Sequence, residues 1–197
     1  MSKVDELKQQ MQPGQVYRRA QLAQWSNAVD RHIKKLLADG TLVKLKGGLY
    51  HYPKATTFGA APAEEETLVR AFLKDDRFLI TSPNIYNTLG VGTTQLYNEV
   101  VVYNHKRHGH YKLGGRMFDF RLKPNLPETL SKEFLLVDLV NNLDRLAENT
   151  SMVKERVKSK MCSFDLDALG RAVRYYGKVG TKKFFADVLP ESAVSYG

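Results

Sequence analysis

The stretch Asn27–Leu37 constrains the N-terminal third of the chain more than any other. Val29, Ile33, Leu36 and Leu37 recur at helical spacing, whereas Asn27, Arg31, Lys34 and Lys35 fall on the opposite side. One face must be buried, and the other is polar and basic. Ser26 or Asn27 is placed to cap the start, because a short polar side chain accepts hydrogen bonds from the free N–H groups of a first turn. Gly40 closes the helix. Taken alone, it is equally an ordinary surface helix whose charges face water.

The flanking sequence favours a more specific reading. Val4, Leu7, Lys8 and Met11 predict a short first helix that ends at Pro13-Gly14. Val16-Tyr17 is a brief extended piece. Arg19 to Trp25 reads as a second helix, with Ala20, Leu22, Ala23 and Trp25 as apolar contacts. The short turn from there into the third helix is the spacing of a helix-turn-helix. Thr41–Pro53 then holds two β-rich runs around Gly47-Gly48, a pair that permits a tight hairpin. Three helices followed by a ribbon is the order of a winged helix-turn-helix DNA-binding domain, expected over residues 1–55. A plain structural hairpin is the alternative for the ribbon.

On the DNA-binding reading, Arg31 suits a bidentate contact to guanine and Asn27 one to adenine. Lys34 and Lys35 suit phosphates, which position a protein without reading sequence. Asp30 is at odds with phosphate binding and is expected to orient Arg31 or Lys34, or to help the cap. Arg18 and Arg19 at the start of the second helix, and Lys44, Lys46, Gly47 and Gly48 of the wing, complete the expected DNA-binding set.

Charge enters here because it is unevenly spread. The net charge is +9 over 197 residues. Residues 1–55 carry ten Lys/Arg against four Asp/Glu, residues 56–153 eleven against twelve, and residues 154–183 nine against three. Two basic zones around a neutral middle favour a polyanion, most plainly nucleic acid. No apolar run approaches the ~18 residues that would span a bilayer. The start, Met-Ser-Lys-Val-Asp-Glu, has no apolar signal core. A cytoplasmic protein without membrane contact is expected. Cys162 is the single cysteine, which excludes an internal disulfide and a cysteine-rich zinc site.

Thr56–Ala63, with Gly59, Pro62 and several alanines, reads as a linker (residues 56–63). Glu64 to about Lys74 is helical, with Thr67, Leu68, Ala71 and Phe72 as core contacts. Phe78-Leu79-Ile80 is a short apolar run, and Ser82-Pro83 opens a short helix to about Leu89. Gly90-x-Gly92 lacks the strand, third glycine and helix of a nucleotide loop and reads as a turn. Glu99–Asn104, Tyr111–Leu113 and Arg116–Leu122 look like strands. His105, His108 and His110 sit on a polar turn, and no metal or cofactor is expected there.

Beyond Ser131, apolar stripes predict four helices. The first carries Leu135, Leu136, Leu139, Val140, Leu143 and Leu146, and the second Val153, Val157 and Met161. The third spans Leu166–Tyr176 and the fourth Lys182–Leu189, ending before Pro190. Lys154, Arg156, Lys158, Arg171, Arg174, Lys178, Lys182 and Lys183 border these helices as a second basic surface. It suits nucleic acid or an acidic partner, or is simply solvated. The expected fold class is α+β: the winged helix-turn-helix domain, the linker, and a mixed domain over 64–197 with a small antiparallel sheet and a helical bundle.

The order of the chain resembles the AbiEi-type antitoxins of bacterial toxin–antitoxin systems. The likeness rests on Leu36-Leu37-Ala38-Asp39-Gly40-Thr41-Leu42-Val43-Lys44-Leu45-Lys46-Gly47-Gly48-Leu49-Tyr50. It continues in Val100–Asn104, Lys112–Arg116 and Phe134–Leu143. The resemblance implies a winged helix that binds operator repeats in double-stranded DNA and represses its own operon; a palindromic operator would favour dimerisation on DNA, although the chain has no clear coiled-coil repeat. It also implies a C-terminal domain that counteracts a nucleotidyltransferase-like toxin without a stable complex. Two alternatives stand beside it. One is a transcriptional regulator unrelated to any toxin, which the gene neighbourhood separates. The other is a nucleic-acid-processing enzyme, which needs clustered carboxylates for metal ions. Asp75-Asp76 and Asp165-x-Asp167 are the nearest approach, so no catalytic residue is assigned.

Overall fold

The computed structural model describes residues 2–189. Its elements in chain order are α1 (Lys3–Gln9), β1 (Val16–Arg18), α2 (Arg19–Leu22), α3 (Val29–Ala38), β2 (Val43–Lys46), β3 (Leu49–His51), β4 (Ala55–Thr56), β5 (Gly59–Ala60), α4 (Glu65–Leu73), β6 (Phe78–Thr81), β7 (Val100–Asn104), β8 (Gly109–Leu113), β9 (Arg116–Leu122), α5 (Lys132–Asn142), α6 (Thr150–Ser159), α7 (Leu166–Tyr176) and α8 (Val179–Ala186). The class is α+β. Two compact units are each assembled from separated stretches of chain. One takes in residues up to 80 together with 104–122; the other takes in 81–103 together with residues from 123 onward.

In the first unit α1, α2 and α3 close over a core of Leu7, Met11, Tyr17, Leu22, Val29, Ile33, Leu36 and Leu42. The apolar positions of α3 are the expected ones, with one addition. His32 lies on the buried side at 4% exposure, its Nδ1 2.7 Å from the Ser26 hydroxyl. That contact explains a departure at the helix start. Ala28, rather than Ser26 or Asn27, precedes the first turn, and no side chain caps it. Ser26 instead accepts from the Ala28 N–H at 3.3 Å while holding His32. Asn27 lies in the turn before the helix, outside its basic face. The second helix is also shorter than expected and stops at Leu22. Trp25 lies past it, edge-on to Tyr17 with ring centroids 6.0 Å apart.

Strands β1, β3 and β2 pair antiparallel in that spatial order, with Tyr50 opposite Tyr17 on one side and Lys44 on the other. The stretch expected to be a plain linker contains the β4–β5 hairpin, with Ala55 opposite Ala60. Helix α4 buries Leu68, Val69, Phe72 and Leu73. Its Phe72 ring packs on Tyr111 of β8 and Phe120 of β9, at centroid distances of 5.0 and 5.1 Å. Strands β8 and β9 form a hairpin closed by Gly114 and Gly115, both with positive φ (55° and 86°). A two-residue hairpin loop of that twist needs residues that tolerate the left-handed region, hence two glycines.

His51, on β3, is 3% exposed, and its Nε2 has no hydrogen-bond partner among the described residues. Burial pushes its pKa below the ordinary 6.5. The unfolded chain therefore takes up this proton at a higher pH than the folded chain, and stability falls as pH drops below about 6.5. His51→Gln should flatten the difference between urea midpoints measured at pH 7.5 and 5. An unchanged difference would remove His51 as its source.

In the second unit α5 is the central helix. Ser131 caps it by accepting from the Phe134 N–H, and it packs on α7, α8 and the 3-10 turn Pro83–Leu89. Asn149 and Asp165 cap α6 and α7 in the same i to i+3 manner, so capping accounts for Asp165. Helix α8 begins at Val179, earlier than expected; Pro190 and the residues after it lie outside the described residues.

The α5 stripe is more than apolar. Asp138, Asn141 and Asn142, at i, i+3 and i+4, put a polar face into the interior, each no more than 5% exposed. Asp138 accepts from the Tyr86 and Tyr103 hydroxyls, both at 2.7 Å, and from Lys123 Nζ at 2.7 Å. Lys123 also lies 4.2 Å from the Tyr103 ring centroid. Asn142 donates to the Asp138 carbonyl at 2.7 Å. Asn141 donates to the Tyr176 carbonyl at 2.9 Å and accepts from the Lys178 N–H at 2.8 Å.

Candidate nucleic-acid interface

Of the expected DNA-binding residues, Arg31, Lys34 and Lys35 share one exposed face of α3. On a 3.6-residue helix they lie opposite Val29, His32, Ile33 and Leu36, the four residues that α3 buries. None of the three makes a hydrogen bond or ion pair to another described residue. Lys35 is attracted by the nearby Asp5 and Asp39 carboxylates without pairing with either. A face of long, solvated cations on a helix fixed by its apolar side is suited to a polyanion.

Arg19 ties this helix to the ribbon. Its guanidinium makes a two-pronged pair with Asp30 in the first turn of α3, at 2.7 and 2.6 Å. Its N–H donates to the carbonyl of Gly48 at the ribbon tip, at 2.9 Å. Asp30 thus orients neither Arg31 nor Lys34 and caps nothing; it holds Arg19. The charge-assisted bond raises the Arg19 pKa above its ordinary value and lowers that of Asp30. The start of α3, the start of α2 and the ribbon tip are consequently one hydrogen-bonded assembly, although Arg19 itself is largely occupied.

The ribbon tip follows the expected plan with two refinements. Gly47 and Gly48 make the turn between Lys46 and Leu49, but only Gly48 takes a positive φ, at 73°. Lys44 projects to solvent from β2 without a hydrogen bond or ion pair to another described residue. Lys46 instead lies over the Tyr111 ring at 4.6 Å and near Phe72 at 5.7 Å, held by cation–π attraction. Arg18 is turned inward: its guanidinium donates to the Phe72 carbonyl at 2.7 Å, and desolvation, then the nearby Arg107 charge, depress its pKa.

The second basic zone is less uniform than its sequence. Lys178 Nζ donates to the Asn141 carbonyl at the end of α5, at 2.7 Å, and burial lowers its pKa. Lys158 pairs with Glu155 at 3.1 Å. Arg156 lies against Gly92, and Lys154 is 5.8 Å from the Phe184 ring centroid. Arg174 and Lys182 border a small cavity over Phe185. Arg171 and Lys183 are exposed. Several of these cations are engaged within their own unit.

No protein-family model and no curated protein matches the chain. A solved structure does: the RV2827C protein of Mycobacterium tuberculosis, with a TM-score of 0.57 and 14% sequence identity. The match covers 98% of this chain and 75% of that one. At that identity the likeness speaks for the fold, an α+β arrangement sustained along nearly the whole chain. Among the described residues no helix is long and apolar enough to cross a membrane.

Two kinds of contact in the first unit are not legible in the sequence. Asp30 was legible as an anomaly, an acid on a basic helix, but its partner eleven residues earlier was not. Phe72 reads as a core contact and Tyr111 as part of a strand, and nothing local to them signals that a ribbon lysine rests on their rings.

Proposed function

We propose that the first unit is a winged helix that binds double-stranded operator DNA, with α3 as the recognition helix and β2–β3 as the wing. The observation that carries this reading is the unpaired Arg31–Lys34–Lys35 face of α3, joined through Arg19 to the Gly48 tip. The element order α1-β1-α2-α3-β2-β3 and the sheet order β1-β3-β2 support it. Arg31 reads a base edge, and Lys34, Lys35 and Lys44 contact phosphates. Asn27 has no helical position from which to read adenine and is assigned to the backbone at the approach to α3.

The resemblance to AbiEi-type antitoxins supplies the physiological setting. The protein represses its own operon and counteracts a nucleotidyltransferase-like toxin through the remainder of the chain, in the cytoplasm. Footprinting on the DNA upstream of its own reading frame tests the operator claim; protection of repeated sites is expected, and uniform cleavage at saturating protein would refute it. The two jobs separate best in the full chain, since a cut after residue 63 would remove part of the unit that also contains 104–122. An Arg31→Ala/Lys34→Ala/Lys35→Ala variant should lose repression and keep rescuing growth from the toxin. Loss of both would contradict a separate antitoxin function.

A further inference from the structure

A cleft of about 390 Å³ opens beside the ribbon tip, and Arg107 reaches it from a distant part of the sequence. Its lining includes Arg18, Arg19, Lys46, Phe72 and Arg107, and no carboxylate. The Arg107 guanidinium lies 4.7 Å from the Phe72 ring centroid, and Lys46 lies 5.7 Å from the same ring. Arg18 is fastened to the Phe72 carbonyl. Phe72, through its ring and its carbonyl, therefore gathers three cations that still repel one another.

Arg107 is held in place rather than trailing in solvent. Asn104, fully buried, accepts from the Lys106 and Arg107 N–H groups at 2.8 and 2.6 Å and donates to the Arg107 carbonyl at 3.0 Å. Lys106 reaches back to the Lys74 carbonyl at the end of α4, at 2.7 Å, and to Asp75 at 3.2 Å. The turn bearing Arg107 is pinned at both its backbone and its neighbour. Preorganised cations lose little freedom when an anion arrives, and an anion relieves their mutual repulsion.

We propose that this cleft is a phosphate-binding site formed jointly by Arg107, Arg18 and Lys46. The phosphate belongs either to the backbone of bound duplex DNA or to a free phosphorylated small molecule. The first source rests on the DNA-binding reading above; the second does not. Guanidinium groups match the oxygens of a phosphate in plane and spacing, and Lys46 adds a point charge. The site draws on residues 104–122 as well as the N-terminal module, so the module alone lacks part of it.

Arg107→Gln in the full chain tests this, with Arg77→Gln as an exposed-cation control in the same unit and Lys46→Gln as a second cleft variant. Duplex affinity is measured against salt, and inorganic pyrophosphate is titrated against the melting temperature of each protein. If the DNA backbone is the source, Arg107→Gln and Lys46→Gln each lower the slope of log affinity on log salt by about one, and Arg77→Gln leaves it unchanged. If a free phosphate is the source, pyrophosphate raises the melting temperature of the unaltered protein and not of Arg107→Gln. Unaltered slopes together with no pyrophosphate effect overturn the site. Absence of duplex binding by the unaltered protein, with a pyrophosphate shift intact, sinks the DNA reading and leaves the cleft standing.

Discussion

Asp138→Ala is expected to destabilise the protein by about 3–5 kcal/mol, the usual consequence of removing one partner from a buried ion pair. The carboxylate is 1% exposed and accepts from Lys123, Tyr86 and Tyr103. Its loss strands a largely buried ammonium and two buried hydroxyls, each of which gave up water to be there. Urea denaturation at pH 7 measures the effect. A change below about 1 kcal/mol would show that water or rearrangement replaces the carboxylate, against the expectation for so closed a network. The same cluster has an alkaline signature. Burial, then the Asp138 charge, raises the Tyr86 pKa well above 10. The unfolded chain ionises this tyrosine near 10 and the folded chain resists, so the contribution is present below that pH and is lost as pH rises further.

Arg31→Ala is expected to reduce the preference for the protein's own promoter over shuffled duplex by roughly 5- to 150-fold, as about 1–3 kcal/mol of base discrimination implies. Lys34→Ala combined with Lys35→Ala should behave differently. It should weaken both duplexes by the same factor and lower the salt slope by about two, one for each phosphate left without its lysine. The side chains are on the exposed face of α3, opposite its buried residues, so the fold should survive all three substitutions. Competition binding with the two duplexes at fixed salt separates the outcomes. An equal loss on both sequences from Arg31→Ala would reassign Arg31 to the backbone.

What the sequence revealed depended on the range of the interaction. Helix α7 was legible to its last residue because Asp165 and Gly177 mark its ends and Leu169 and Val173 its buried side. The Gly47-Gly48 turn was legible because no other residue serves a tight hairpin so freely. Where a local rule met a tertiary partner, the partner won. Ser26 reads as a helix cap, yet His32 claims its hydroxyl. Lys46 reads as a free wing cation, yet Tyr111 lies under it. Phe134–Leu143 reads as an apolar helix, and its polar face at Asp138, Asn141 and Asn142 becomes intelligible only once Tyr86, Tyr103 and Lys123 are seen to converge on it. The α3 face was legible because amphipathic spacing is local; Arg107 was not, because it joins the cleft from another segment of the chain.

On the proposed function, a basic face on α3 reads operator DNA. Fluorescence anisotropy with the full chain, comparing its own upstream duplex with a shuffled one across ~50 to ~200 mM salt, tests it most directly. Both affinities are expected to fall steeply with salt while the upstream duplex stays at least about tenfold tighter throughout. Equal affinity for the two duplexes at every salt concentration would contradict it.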